Sequence, residues 1–260
     1  MPVYDEIGKG YDSTRKADPY LASRIASHLR IDINAKYLDV ACGTGNYTTM
    51  LQTEYGGNWS GIDASALMIR AAREKCSEVD WLVGECGKLP HPANTFSGII
   101  CTLAIHHFTS LNLIFGEVAR VLNRGRFVIL TATPEQMRHY WLCEYFPEAM
   151  LHSMKQMPSL EKVTKALNEV GLEIVCTEPY EIQIDLQDFF LYSGKHLPTM
   201  YLDPAVRAGI STFALLADRT EVEQGCQRLA ADIQSGRIAE IQSSYAHKAG
   251  DYLFIAAAKS

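Results

Sequence analysis

The 260-residue sequence has no run of lysine or arginine: its 24 Lys+Arg are dispersed among 30 Asp+Glu, for a formal net charge of -6. Without a basic stripe to track a phosphate backbone, nucleic acid is a poor expectation for a partner. No apolar stretch approaches the roughly 18 residues a membrane span needs. Met1-Pro2-Val3-Tyr4-Asp5-Glu6 also lacks the basic-then-apolar order of an export signal, so a soluble, cytoplasmic protein is expected. The seven cysteines (Cys42, Cys76, Cys86, Cys101, Cys143, Cys176, Cys226) are odd in number and scattered, with no C-x-x-C pair and no Cys/His ligand spacing. That pattern fits a reducing compartment. Internal repeats, low-complexity segments and a linker that would separate a second domain are lacking too.

What is present is alternation. Asp18-Pro19 reads as a helix cap followed by proline at the first helical position, and Leu21, Ile25 and Leu29 recur four apart, predicting a helix over about 19–30. Short apolar runs then alternate with helical patterns: strands at Tyr37 to Val40, Trp59 to Ile62, Val79 to Val83, Ser97 to Leu103 and Arg126 to Thr131, with helices at Tyr47 to Tyr55, Ala66 to Lys75 and Leu111 to Leu122. Alternation of this kind requires crossovers and a parallel sheet. The nearly all-apolar Phe127-Val128-Ile129-Leu130 suits a strand covered on both faces.

Ser159 opens a further helix ending near Gly171, followed by a strand from Leu172 to Val175 that extends toward Ile184. Asp251 to Ala258 is a final apolar strand. Two late strands without the usual crossover helix predict an antiparallel pairing. Residues 134–158 and 186–248 stand outside the alternation and are expected to cover the strand ends, where open parallel sheets bind ligands. The expected organisation is one domain over 1–260: an arm and helix (1–33), a cofactor-binding core (34–133), the two covers, and a last strand (251–258).

The local chemistry starts at Leu38-Asp39-Val40-Ala41-Cys42-Gly43-Thr44-Gly45. A strand running into glycines before a helix offers backbone N–H groups at close approach, because glycine has no side chain to hold a ligand away. The dinucleotide fingerprint needs a third glycine three residues after Gly45; Thr48 stands there, which counts against NAD. Asp63, at the end of the next strand, is placed to accept both hydroxyls of a ribose.

The sequence here resembles the class I S-adenosylmethionine-dependent methyltransferases, and within them the type 11 group that contains the ubiquinone and menaquinone methyltransferases. The resemblance runs from about Tyr4 to Thr133. Leu38 to Gly45 matches the first motif, Gly61-Ile62-Asp63-Ala64-Ser65 with Met68 the second, and Gly84-Glu85-Cys86-Gly87-Lys88-Leu89-Pro90 the third. It implies an α/β fold: a Rossmann-like, seven-stranded, mostly parallel sheet with an antiparallel terminal strand, helices on both faces and helical cover insertions. By the same resemblance, Asp39, Ala41, Gly43 and Gly45 hold the methionine part of S-adenosylmethionine. Asp63 holds the ribose, Ala64 beside it also meets the cofactor, Glu85 and Cys86 hold the adenine edge, and Met68 packs on the ring. Thr102 and Leu103 line the space beside the sulfonium, and S-adenosylhomocysteine is the product. The sequence departs from the family at Ala41, commonly glycine, and Glu85, commonly aspartate.

Tyr4-Asp5-x-Ile7-Gly8-x-x-Tyr11-Asp12-x-x-Arg15 resembles the lead-in that many type 11 enzymes fold over the cofactor, with Tyr4 and Tyr11 as cover and Arg15 near the cofactor carboxylate. On the acceptor side, His106 and His107 are candidate general bases, since an unperturbed imidazole titrates near pH 6.5. The alternative for each is a structural histidine. His139, Tyr140, Trp141, Tyr145 and Phe146 are expected to line the acceptor pocket, or else to form a helical core face. Donors in Tyr192 to Pro198 and Tyr201 to Pro204 are further candidates.

The fourth-strand segment Ile100-Cys101-Thr102-Leu103-Ala104 has neither the Asn/Asp-Pro-Pro-aromatic sequence of amino-methylating DNA enzymes nor a Pro-Cys pair. No constellation of acids marks a magnesium site of the catechol type. Direct in-line methyl transfer to a small molecule, without metal, is the leading expectation. An NAD(P)-linked oxidoreductase and a non-catalytic S-adenosylmethionine-binding protein are the alternatives, and the oligomeric state is not legible.

Overall fold

A computed structural model describes residues 11–259, apart from the side chains of Tyr11 and Ser13. The cofactor-cover roles expected of Tyr4 and of the Tyr11 side chain therefore lie outside what the structure describes.

Seven strands form one sheet in the order β3-β2-β1-β4-β5-β7-β6. They are β1 (Lys36–Val40), β2 (Asn58–Asp63), β3 (Asp80–Val83), β4 (Phe96–Thr102), β5 (Leu122–Thr131), β6 (Leu172–Tyr180) and β7 (Tyr252–Lys259). The first five are parallel, and β7 runs antiparallel to both β5 and β6. The anticipated late pairing thus takes a particular form, with β7 inserted between β5 and β6. Burial follows from position: β7 is buried from Tyr252 to Ala257 because it is paired on both sides, whereas β6, at the edge, alternates and keeps Val175 exposed. Pro179 in β6 is tolerated there because an edge strand has donors to spare.

β5 starts at Leu122, four residues before the predicted start at Arg126. Asn123, Arg124 and Gly125 carry no apolar signal and lie in the register shift between the Phe96–Leu122 and Gly98–Arg126 pairs. Gly125 makes the close approach to β4 possible, since a Cβ there would stand 1.5 Å from the Ser97 carbonyl oxygen.

Helices α1 (Pro19–Leu29), α2 (Asn46–Tyr55) and α3 (Ala66–Lys75) pack on one face, and α4 (Leu111–Val121) on the other. Alternate residues of a strand feed the two cores: Ile100 and Val128 one, Ile99 and Phe127 the other. The helix starts are capped by side chains as their sequences suggest. Asp18 accepts from Leu21 N–H, Ser65 from Met68 N–H and Ser110 from Leu113 N–H.

The first cover contains α5 (Pro147–Gln156), and α6 (Leu160–Glu169) returns to the core beside α4. The second cover is a series of short helical turns leading into α7 (Arg219–Ser235) and α8 (Ile238–Ser244). Asp18 joins it to the core: one carboxylate oxygen caps α1 while the other accepts from Gln187 N–H at 3.0 Å. Among the described residues no helix is long and apolar enough to cross a membrane.

Candidate active site

A cavity of about 410 Å³ opens at the carboxyl ends of β1, β2 and β4. β1 is flanked by β2 on one side and β4 on the other, so this is where the strand order reverses. That crevice is where open parallel sheets take their ligands.

β1 passes into a turn with three left-handed residues, Ala41 (φ 59°), Gly43 (φ 55°) and Gly45 (φ 70°). Gly43 opens on the cavity: a Cβ there would find nothing within 4 Å. Gly45, between the cavity-lining Thr44 and Asn46, is not itself among the lining residues. A Cβ on Gly45 would stand 2.1 Å from Trp81 Cη2, so this glycine lets the turn lie against the indole. Ala41 lines the cavity in a conformation that costs a side chain about 1–2 kcal/mol and glycine nothing.

Asp39 lies at the end of β1, 3% exposed. Its Oδ2 accepts from the Thr48 hydroxyl at 2.6 Å, while its Oδ1, also buried, has no hydrogen-bond partner among the described residues. Burial pushes this carboxyl up to about 7, opposed by the Thr48 bond and reinforced by the charge of Asp63. An orphaned, buried acceptor on a cavity wall fits a ligand ammonium.

Asp63 faces the same cavity from the end of β2 and braces the turn: Oδ2 accepts from Gly43 N–H and Oδ1 from Ser65 N–H, each at 2.9 Å. Ala64, Met68, Glu85 and Cys86 continue the wall, Met68 deeply buried and Glu85 exposed at the rim. Burial pushes the Cys86 thiol up to about 12, so it is a protonated, weakly polar surface and not a nucleophile. Thr102 and Leu103 close the end beside β4, Leu103 in the left-handed region at φ 53°.

A structure described as a methyltransferase from an antibiotic biosynthesis pathway of Anabaena variabilis is 31% identical to this chain. It superposes with a TM-score of 0.84 over 94% of this chain and 98% of its own. The chain belongs to the class I S-adenosylmethionine-dependent methyltransferases. A family profile described as a methyltransferase domain matches residues 38–125. The demethylmenaquinone methyltransferase of Bacillus licheniformis is 25% identical over 208 residues, 68% of this chain and 90% of that protein. The geranyl diphosphate C-methyltransferase of Streptomyces coelicolor, solved with Mg2+ and S-adenosylhomocysteine, has a TM-score of 0.57 at 15% identity over 93% of this chain and 76% of its own, a likeness of fold alone. Membership decides the cofactor question in favour of S-adenosylmethionine over NAD(P).

The methyltransferase holds Arg15 at the wall of this cavity, but in a pairing that its sequence does not announce. Arg15 Nε donates to Asp188 Oδ1 at 2.5 Å, and the Tyr47 hydroxyl donates to Asp188 Oδ2 at 3.1 Å. Asp188, from the second cover, is 1% exposed, and burial raises its pKa against the lowering pull of Arg15. Its partners lie 173 and 141 residues away, beyond any local pattern. A lone acid ahead of Phe189-Phe190-Leu191-Tyr192 is the one available signal, since acids are rarely buried unpaired.

Asp12 was also missed. Its carboxylate accepts from the Thr44 hydroxyl at 2.7 Å, the Lys75 ammonium at 2.6 Å and the Asn46 amide at 3.2 Å, fastening the arm to the glycine turn and α3.

After β4 the methyltransferase makes a single turn of 3-10 helix, Ile105–His107, that sends the two histidines to different places. His107 lines the cofactor cavity, whereas His106 lines a smaller neighbouring cavity of about 80 Å³. Their ring centroids are 3.8 Å apart. Burial, the neighbouring His107 and the charge of Arg15 together pull His106 down to about 3. His107 keeps an exposed face, and the protein around the rest of its ring lowers its pKa as well. Both rings are neutral at pH 7. A base whose conjugate acid is this acidic takes a proton poorly, so His106 is better suited to hydrogen bonding than to proton abstraction.

The aromatic residues of the first cover do not line either cavity. Tyr140, Trp141, Tyr145 and Phe146 are buried in the cover's own core, with Tyr140 stacked on Tyr192 at 3.9 Å and Trp141 edge-on to Tyr201 at 5.5 Å. His139 stacks on His247. The donors expected from Tyr192 to Pro198 and Tyr201 to Pro204 are likewise absent from both linings: Lys195 pairs with Asp251 at 2.8 Å, and the Tyr201 hydroxyl donates to Leu191 O. Helix-spaced aromatics and turn-rich donors read alike whether they fill a core or a pocket, and here they fill the core. Among the described residues no group of three or more His, Cys, Asp or Glu stands together as a metal site.

Proposed function

We propose that the chain transfers a methyl group from S-adenosylmethionine to a small molecule by in-line displacement, with the cofactor in the cavity at the ends of β1, β2 and β4. The observation that carries this reading is the pair of carboxylates there, one braced against the glycine turn and one with an orphaned oxygen. When bound, S-adenosylmethionine supplies a methyl on a sulfonium; the acceptor's electron pair bonds to that carbon as the carbon–sulfur bond breaks with its pair left on sulfur, giving S-adenosylhomocysteine.

The residues of the chain bind and orient. Asp39 Oδ1 offers its unused acceptor to the methionine ammonium, Asp63 accepts from the ribose hydroxyls, and Met68, Glu85 and Cys86 surround the adenine. Arg15, held by Asp188, supplies positive charge toward the methionine carboxylate. Thr102 and Leu103 bound the reacting end. Alignment within bonding reach removes roughly 7–11 kcal/mol of barrier, more than a positioned base adds. A reaction whose leaving group is already cationic needs no strong base, which agrees with two neutral histidines. The proton lost by the acceptor passes to solvent.

The reading favours a small acceptor over nucleic acid, because the net charge is -6 and the walls of the cavity bring one arginine already paired to an aspartate. It includes operation without metal and in a reducing, cytoplasmic setting, in which all seven cysteines stay free as they are here. Incubation with methyl-labelled S-adenosylmethionine and a metabolite extract, followed by mass identification of the labelled product, tests it. Label in a small molecule is expected. Label confined to nucleic acid or protein would refute the reading.

A further inference from the structure

The cavity of about 80 Å³ beside the cofactor site has no part in cofactor binding as derived above. It shares Arg15 and Leu103 with the larger cavity, so the two meet at the residue that follows β4. Its floor is Thr131 and Ala132 at the end of β5 with Tyr252 at the start of β7. Its roof comes from both covers, through Ser153 and Met157 around α5 and the Ile210 to Thr212 turn.

Three features of this wall select a ligand. The first is size: an apolar cavity of ~150 Å³ admits benzene, and this one has about half that volume. Two thioethers line it, Met137 and Met157, whose unbranched chains can give way. One ring is therefore the upper limit.

The second is charge. Among the described residues Arg15 is the one formally charged side chain in the lining, and Asp188 neutralises it at 2.5 Å. Neither an anionic group such as a diphosphate nor an ammonium finds an uncompensated opposite charge.

The third is the hydrogen-bonding inventory. His106 Nδ1 is buried with no hydrogen-bond partner among the described residues. Ser153 and Thr212 share one hydrogen bond at 2.9 Å, and two hydroxyls joined in this way use one O–H between them and leave the other to donate. A ligand hydroxyl can donate to an imidazole nitrogen and accept from that remaining O–H.

We propose that this cavity is the acceptor site, and that it takes a neutral, single-ring molecule carrying a hydroxyl, held by His106 and the Ser153–Thr212 pair. His106 is then a positioning residue. The inference rests on the cofactor reading, since the acceptor must lie against the methyl group that passes Leu103.

Calorimetry on the full chain loaded with S-adenosylhomocysteine, with phenol as probe, tests it. Phenol should bind, benzene at least tenfold more weakly, and inorganic pyrophosphate not at all. Thr212→Val and His106→Leu should each weaken phenol about 5–10-fold and leave S-adenosylhomocysteine affinity within twofold. Ile210→Phe, which fills the cavity, should abolish phenol binding; a thermal melt establishes that this variant is folded, and Thr212→Val serves in its place if it is not. Failure of phenol to bind a protein that does bind S-adenosylhomocysteine would overturn the acceptor site and leave the cofactor reading intact. Phenol binding that is indifferent to all three substitutions, or competition by pyrophosphate, would overturn it too. Failure of S-adenosylhomocysteine itself to bind would overturn the cofactor reading and this inference with it.

Discussion

The hydroxyl of Thr48 donates a 2.6 Å hydrogen bond to Oδ2 of Asp39. Thr48 occupies the position at which a dinucleotide-binding turn has its third glycine, so the side chain that departs from that pattern is the one that partners the buried acid of this site. Thr48→Val keeps the shape and removes the bond. It should cost about 1.5–3 kcal/mol of stability, the usual worth of a hydrogen bond to a charged group, read by urea denaturation at pH 8. A loss below 0.5 kcal/mol, by the same scale, would show that Asp39 has no need of it.

The pH dependence of stability follows from the same carboxyl. Its folded pKa of about 7 lies above its ordinary 3.8. Between those values the folded protein keeps a proton that the unfolded chain has released, so this group's contribution to stability falls as pH rises across that window. In Asp39→Asn the slope of stability against pH between pH 4 and 7 should be more positive than in the wild type by that contribution. Identical slopes would contradict the raised pKa.

The histidines predict a flat profile. With His106 pulled down to about 3 and His107 also lowered, neither titrates at its ordinary 6.5. The rate of methyl transfer at saturating substrate should show no inflection between pH 6 and 7. A one-proton inflection near 6.5, lost in His106→Gln or His107→Gln, would restore a general base.

Trp81 accounts for two glycines at once. A Cβ on Gly61 would stand 2.4 Å from the indole Cζ3, as one on Gly45 would stand 2.1 Å from Cη2. Gly61→Ala should destabilise by about 1–3 kcal/mol through overpacking. In a Trp81→Leu background that cost should shrink by more than 0.5 kcal/mol, the coupling of residues in contact. Equal costs in both backgrounds would place the strain elsewhere.

The strands and helices of the core could be placed from sequence because their signals are local. Ala66–Lys75 has the predicted bounds, since a Ser65 cap and a basic last turn mark both ends. The long-range partners could not be placed in this way. Asp188 meets Arg15 across 173 residues, and no periodicity encodes that encounter. The aromatic cluster at Tyr140 to Phe146 shows the other limit: burial in a cover core and burial around a ligand demand the same residue types, and only the packing of Tyr140 on Tyr192 distinguishes them. The closeness of Gly45 to an indole was not legible either, because that indole comes from β3.

Titration of S-adenosylhomocysteine into the wild type, Asp63→Asn and Asp63→Ala, with NAD as control, tests the central claim most directly. The wild type should bind S-adenosylhomocysteine and not NAD. Asp63→Ala should bind it more weakly by roughly 1.5–3 kcal/mol, the loss of a charged hydrogen bond, with Asp63→Asn between the two. Unchanged affinity in both folded variants would contradict the placement of the cofactor ribose on Asp63 and the account built on it.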